Sequence, residues 1–131
     1  MIIIDGKNAV LGRLASYAAK ESLKGEEIIV LNCLDIIITG NKEDIKKEFQ
    51  EKRSRVGSIQ KGPKHSMVSE KIVKRTIRGM LPNYREGRGR EAFKRIKCYS
   101  GIPKEFQNKE SIKLNEKKKI KANKIKEFAI K

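Results

Sequence analysis

The stretch MIIIDGKNAVLGRLASYAAKESLKGEEIIVLNC, residues 1–33, decides the fold class. Met1 to Ile4 is a short apolar run stopped by Asp5-Gly6, the pattern of a strand buried on both faces. Val10, Leu11, Leu14, Ala15, Ala18, Ala19 and Leu23 then recur at three- and four-residue spacing, which puts them on one side of a helix. Gly25 sits where a left-handed residue closes that helix. Glu26 to Cys33 returns to β-branched residues. Strand, helix and strand in so short a span make a βαβ unit, and the unalternating apolar strands predict a parallel sheet covered on both faces.

Working outward, Ile36 to Gly40 reads as a further short strand or the end of one. Asn41 is placed to cap a helix, with Asp44 as the reciprocal acid of a capping box, and Ile45 and Phe49 on its apolar side. That helix fails near Gly57, and Gly57 to Met67 reads as a loop. A third helix starts at Ser69, buries Ile72, Val73, Ile77 and Met80, and stops at Pro82. Asn83 to Arg90 is a glycine-punctuated basic turn, Glu91 to Arg95 a short helix, and Ile96 to Tyr99 a strand ended by Gly101-Ile102-Pro103. Beyond Pro103 the chain is lysine-rich, with Ile120, Ile125 and Phe128 forming one weak helical stripe that either docks on the domain or frays, and the expectation is a tail mobile beyond residue 103. The expected division is one α/β domain over 1–103 and a basic C-terminal extension over 104–131.

Charge follows this division. The chain of 131 residues has 32 Lys plus Arg against 16 Asp plus Glu, a formal net charge of +16. Residues 1–51 sum to −2, residues 52–100 to +12 and residues 101–131 to +6. Eight of nine arginines lie between Arg53 and Arg95. Such an excess attracts polyanions. Arginine grips a phosphate with two parallel bonds, and glycine lets the backbone approach it. The candidate contacts in this segment are Arg53, Arg55, Lys61, Lys64, His65, Lys71, Lys74, Arg75, Arg78, Arg85, Arg88, Arg90, Lys94 and Arg95.

Other classes fit less well. The longest apolar stretch, Ile28 to Ile38, is interrupted by Asn32 and Asp35 and is too short for a bilayer. Met1 to Ile4 has no preceding basic region and does not read as a signal peptide, so the expectation is a cytoplasmic protein with Cys33 and Cys98 as reduced, buried thiols. His65 has no acid within four positions, and two distant cysteines with one histidine make no metal cluster; no cofactor is expected. Gly57 to Lys64 has the glycine spacing of a phosphate loop but carries Pro63 in place of its lysine. Thr39-Gly40-Asn41-Lys42, a glycine turn at a helix start, leaves open a small α/β enzyme acting on phosphates or nucleotides. Aromatic residues are 5% of the chain and no standard base-reading motif is present, which favours a binder of the backbone of folded RNA.

Several separated motifs resemble one family. Asp5-Gly6, Leu11-Gly12-Arg13-Leu14-Ala15-Ser16, Ile38-Thr39-Gly40-Asn41-Lys42, Arg75-Thr76-Ile77-Arg78-Gly79-Met80-Leu81-Pro82, Arg90-Glu91-Ala92-Phe93 and Tyr99-Ser100-Gly101-Ile102-Pro103 are similar, in order and spacing, to the universal large-subunit ribosomal protein L13 family. Gly62-Pro63 looks like its archaeal form. The resemblance covers roughly 1–103 and implies a three-layer α/β/α fold with a four-stranded parallel sheet. It also implies a structural, non-catalytic role: binding and organising large-subunit rRNA during assembly, as a monomer beside neighbouring large-subunit proteins, with no membrane or small-molecule substrate. It adds Arg13 and Lys42 to the RNA-facing residues and supports Arg75, Arg78 and the Arg85 to Arg90 turn. Lys64 to Ser69 departs from the family's arginine and proline pattern. A nucleic-acid chaperone outside the ribosome is the remaining alternative.

Overall fold

β1 (Ile2–Asp5) and β2 (Ile28–Leu31) run parallel, Ile2 opposite Ile28 and Ile4 opposite Val30, with α1 (Leu11–Leu23) crossing between them. This is the βαβ unit expected from the opening stretch, and Gly25 follows its helix at φ +105°. The computed structural model describes residues 1–55, 64–114 and 121–129. Its remaining elements are β3 (Ile37–Thr39), α2 (Lys42–Ser54), α3 (Ser69–Met80), α4 (Gly87–Lys94), β4 (Ile96–Cys98), β5 (Ile112–Lys113) and β6 (Ala122–Lys124). Three single 3-10 turns lie at Cys33–Asp35, Lys104–Phe106 and Ile125–Glu127.

The main sheet has the order β4-β2-β1-β5, with every pairing parallel. Its two faces follow from strand alternation. Ile4, Ile28, Val30 and Ile96 pack with Leu14, Ala18, Val73 and Ile77 under the helical layer of α1, α3 and α4. Ile3, Ile29 and Leu31 face the other way and meet Tyr99 and Phe106, the latter from a 3-10 turn. The architecture is three-layer α/β/α, with a thinner second cover.

Several local expectations are corrected. Ile36 to Thr39 contributes a strand, but outside the main sheet: β3 pairs antiparallel with β6. The fourth parallel strand is β5, a two-residue pairing with Ile4 and Asp5 that carries little pattern of its own. Asn41 occupies the N-cap of α2 without a side-chain cap bond; Glu43 and Asp44 instead place negative charge against the helix dipole. α4 begins at Gly87 rather than Glu91, so half of the presumed basic turn is helical. A Cβ on Gly89 would stand 2.4 Å from the Pro82 carbonyl oxygen and 2.5 Å from that of Asn83. Glycine is therefore required there by close packing, which outweighs its poor helix propensity.

The chain after Pro103 is folded in wherever it is described. Phe106, Ile125 and Phe128 are buried, the last two from a turn following a strand rather than from a helical stripe; Ile120 lies outside the described residues. The Ile125 amide donates to the Ile36 carbonyl at 2.9 Å, and Asn123 Nδ2 to the Gly40 carbonyl at 2.9 Å. Phe128 stacks on Phe49 at 5.9 Å. Both cysteines are free thiols; Cys33 sits just past β2, and its hydrogen bond with Cys98, together with burial, pushes its pKa up and keeps it protonated. Among the described residues no helix is long and apolar enough to cross a membrane.

Candidate nucleic-acid interface

α3 divides its residues by helical spacing. Ser69, Ile72, Val73 and Ile77 are buried against the sheet and α1, and Lys71, Lys74, Arg75 and Arg78 recur at three- and four-residue intervals beside them. The cations therefore form a stripe along one side of a helix that cannot rotate without exposing its apolar face. Facing this stripe is α2, whose Ile45 and Phe49 point inward. Between the two helices lies a groove of about 580 Å³, floored by Leu11, Ile38, Ile45, Phe49 and Ile72. Lys52, Lys64, His65, Ser66, Lys71, Lys74, Arg75, Arg78 and the hydroxyl residues Thr39 and Thr76 line it, with Glu48 as its acid among the described residues. Glu48 is itself paired with Lys52.

At the far end the stripe rests on aromatic rings. Lys74 Nζ lies 5.0 Å from the centre of the Phe93 ring, and the Arg78 guanidinium 4.6 Å from that of Tyr84. Tyr84 and Phe93 meet edge to face at 6.2 Å, and Arg85 covers the other part of Tyr84 at 5.6 Å while its Nε donates to the phenol oxygen at 3.3 Å. That hydrogen bond and the charge of Arg85 lower the Tyr84 pKa. Cation–π contact orders long side chains that would otherwise lose rotamer freedom on meeting a ligand. Charge counting passed over Tyr84 and Phe93, which brace these cations; their position inside the basic segment was the available signal.

His65 reports the local field. Its Nε2 is 3.3 Å from an Arg75 guanidinium nitrogen, an arrangement in which the ring nitrogen accepts. Desolvation, followed by the charges of Arg75, Lys52, Arg55 and Arg53, lowers its pKa from 6.5, so the neutral ring is favoured. Among the described residues no acid is hydrogen-bonded to this histidine, and the charges that act on it are cations.

The expected contacts thus fall into three groups. Lys64, His65, Lys71, Lys74, Arg75 and Arg78 are brought together around the groove, with Lys52 added by the structure. Arg85, Arg88, Arg90 and Lys94 are exposed on the adjoining turn and α4, where Phe93 connects them to the groove. The third group is tied to the fold. Lys42 pairs with Glu127 at 2.8 Å, Arg53 donates to the Phe128 carbonyl at 3.2 Å, and Arg95 meets Glu91 at 3.6 Å and the Ser22 carbonyl at 3.4 Å. Arg13 is exposed on α1, and Arg55, exposed at the end of α2, is near enough to the groove for its charge to act on His65; Lys61 lies outside the described residues, as does most of the Gly57 to Lys64 stretch.

The sequence is similar to those of known proteins. A sequence model of the family described as ribosomal protein L13 matches residues 1–105. The large ribosomal subunit protein uL13 of Methanocaldococcus jannaschii is 48% identical over 125 residues, covering 92% of this chain and 90% of that one. Those of Methanopyrus kandleri and Methanococcus maripaludis are 51% and 49% identical, covering 78% and 79% of this chain and 63% and 77% of their own lengths.

Proposed function

The chain belongs to the ribosomal protein L13 family, and from that premise we infer that it is a structural constituent of the large ribosomal subunit, where it binds and organises large-subunit rRNA during assembly and translation. Its role is that of a scaffold and not of a catalyst. Its partners are rRNA and the neighbouring large-subunit proteins. The enzyme reading based on the Thr39 to Lys42 turn has no counterpart among the relatives named above, and Lys42 turns to Glu127 instead.

The observation that carries the RNA contact is the α3 stripe of Lys71, Lys74, Arg75 and Arg78, fixed by the burial of Ile72, Val73 and Ile77 and braced on Tyr84 and Phe93. Arg85, Arg88, Arg90 and Lys94 extend it as a second cationic ridge. A surface that neutralises about six phosphates gives a logarithmic salt slope of about −4 to −5. Retention of deproteinised large-subunit rRNA on filters, measured between about 50 and 200 mM salt, tests this. A flat response would remove the electrostatic basis of the reading. In cell extract the protein is expected to sediment with large subunits and to leave them at high salt; a soluble, unassociated pool alone would remove the ribosomal assignment.

A further inference from the structure

A surface that touches only phosphates needs exposed cations and nothing more. The groove between α2 and α3 has in addition an apolar floor, a volume of about 580 Å³ and an aromatic side chain, Phe49, at its wall. That volume lies within the range of about 300–1,000 Å³ found for sites that enclose small molecules. Among the described residues six cations rim it, Lys52, Lys64, Lys71, Lys74, Arg75 and Arg78, against one lining acid, Glu48, which Lys52 already neutralises. Apolar floor and cationic rim together match one chemistry: a flat heteroaromatic base joined to a phosphate backbone. An acidic peptide would satisfy the rim and leave the floor empty, and an apolar helix would satisfy the floor and bury the rim charges unpaired.

We propose that this groove receives a nucleotide extruded from folded large-subunit rRNA, its base lying on the floor beside Phe49 and its flanking phosphates held by Arg75, Lys71 and Lys74. Proteins read RNA sequence mainly through such splayed-out bases, stacked on aromatic rings and bonded along their edges; the Phe49 ring is already stacked on Phe128 at 5.9 Å with the Arg53 guanidinium 5.5 Å from its centre, so the base meets its edge. Edge partners are in place. The Ser66 hydroxyl accepts the Val68 amide at 3.1 Å and keeps its own proton to donate, and Thr39 stands exposed at the mouth. His65, held neutral, offers a second flat ring beside Arg75. The inference rests on the rRNA-binding reading and gives it a point of base contact that a cationic surface lacks.

The chain has no tryptophan, so Phe49→Trp installs a single reporter in the groove. On titration with deproteinised large-subunit rRNA its emission is expected to be quenched saturably, over the same concentrations at which filters retain the complex. Phe106→Trp, on the opposite face of the sheet, is expected to stay unquenched. Thr39→Trp in the otherwise unchanged protein fills the mouth without altering charge, and is expected to weaken rRNA binding about tenfold at an unchanged salt slope. Retained rRNA with unchanged emission at position 49, equal quenching at 49 and 106, or Thr39→Trp binding within about twofold of the parent would each overturn the proposal and leave the rRNA reading standing. Mononucleotides at millimolar concentration are expected to leave the reporter unchanged. Saturable quenching by one of them at micromolar concentration would assign the groove to a free nucleotide, and quenching by a poly-glutamate peptide would assign it to an acidic protein. If the parent protein failed to retain rRNA at all, it is the underlying reading that would fall.

Discussion

Two sets of cations in this molecule do opposite work. On α3, which lines an open groove, Lys74 and Arg78 rest on aromatic rings; Lys42 and Lys124, which join the C-terminal segment to the β3 region, are paired with acids. Lys124 meets Asp35 at 3.0 Å and Lys42 meets Glu127 at 2.8 Å, and the second contact lowers the Glu127 pKa. Both pairs join the C-terminal chain to the β3 region, where β6 is hydrogen-bonded and Ile125 is fully buried. A positive charge already matched within the fold adds little to a polyanion's attraction, and a charge braced on an aromatic face adds its full field. Net charge by segment therefore overstates the binding contribution of Lys42 and Lys124.

The largest effect is expected from attacking the tail's apolar anchor. Ile125→Ala empties a fully buried site against the Cys33–Asp35 turn and Ile36, and substitutions of this kind cost about 2–5 kcal/mol. Chemical denaturation is expected to show that loss, while rRNA affinity measured well below the new midpoint stays near that of the parent. An affinity loss matching the stability loss would mean that the two regions are one functional unit. Next in size, Arg75→Ala combined with Arg78→Ala is expected to weaken rRNA binding about ten- to hundredfold and to flatten the salt slope by about 1.4–1.8, the share of two phosphates. Stability should change by no more than about 1 kcal/mol, the scale of an Arg78–Tyr84 cation–π contact.

The same division explains how much of the molecule was legible in its sequence. Periodicity carried the βαβ unit, α3 and the cationic stripe, because apolar spacing at Ile72, Val73 and Ile77 fixes both the helix and which residues face away from the core. β5 and β6 were not legible. Ile112–Lys113 and Ala122–Lys124 become strands because β1 and β3 offer unpaired edges, a tertiary fact that two- or three-residue segments rich in lysine do not encode. The extension of α4 to Gly87 was hidden in the same way: Gly87 and Gly89 read as a turn until the Pro82–Asn83 backbone packs against the helix. Of the candidate site, residue type was readable but partner was not. Lys42, Arg53 and Arg95 looked like the other basic residues, and only the fold supplied Glu127, Phe128 and Glu91 as their partners.

A smaller effect sharpens the contrast from the charge side. Lys42→Ala with Lys124→Ala removes two cations, as many as the arginine pair, yet is expected to change rRNA affinity by less than about threefold. Both ion pairs are open to solvent, so the change in stability from losing each should be small. Thermal melts and filter retention on the two double variants give the comparison directly. Equal affinity losses in the two would show that the ribosomal RNA reads total charge, and that pairing within the fold is irrelevant to it.

The smallest effect concerns His65 and has a definite sign. In the free protein its pKa is lowered from 6.5 by desolvation and by Arg75, Lys52, Arg55 and Arg53. The unfolded chain therefore binds the proton more tightly than the folded one. Whatever stability the neutral ring contributes is complete above about 6.5 and is lost as pH falls from there through the lower folded value. Bound phosphates reverse the field, since they neutralise the same four cations and draw the pKa back up. Binding to rRNA then takes up a fraction of a proton, and affinity should rise modestly as pH is lowered from about 7.5 to 6, by at most about tenfold per unit for one proton. His65→Gln keeps a polar side chain of similar reach and should flatten this dependence without abolishing binding. A parent and variant with identical pH profiles would show that phosphates do not come near the Arg75 end of the groove, and would move the contact toward Arg85, Arg88 and Arg90 on the α4 ridge.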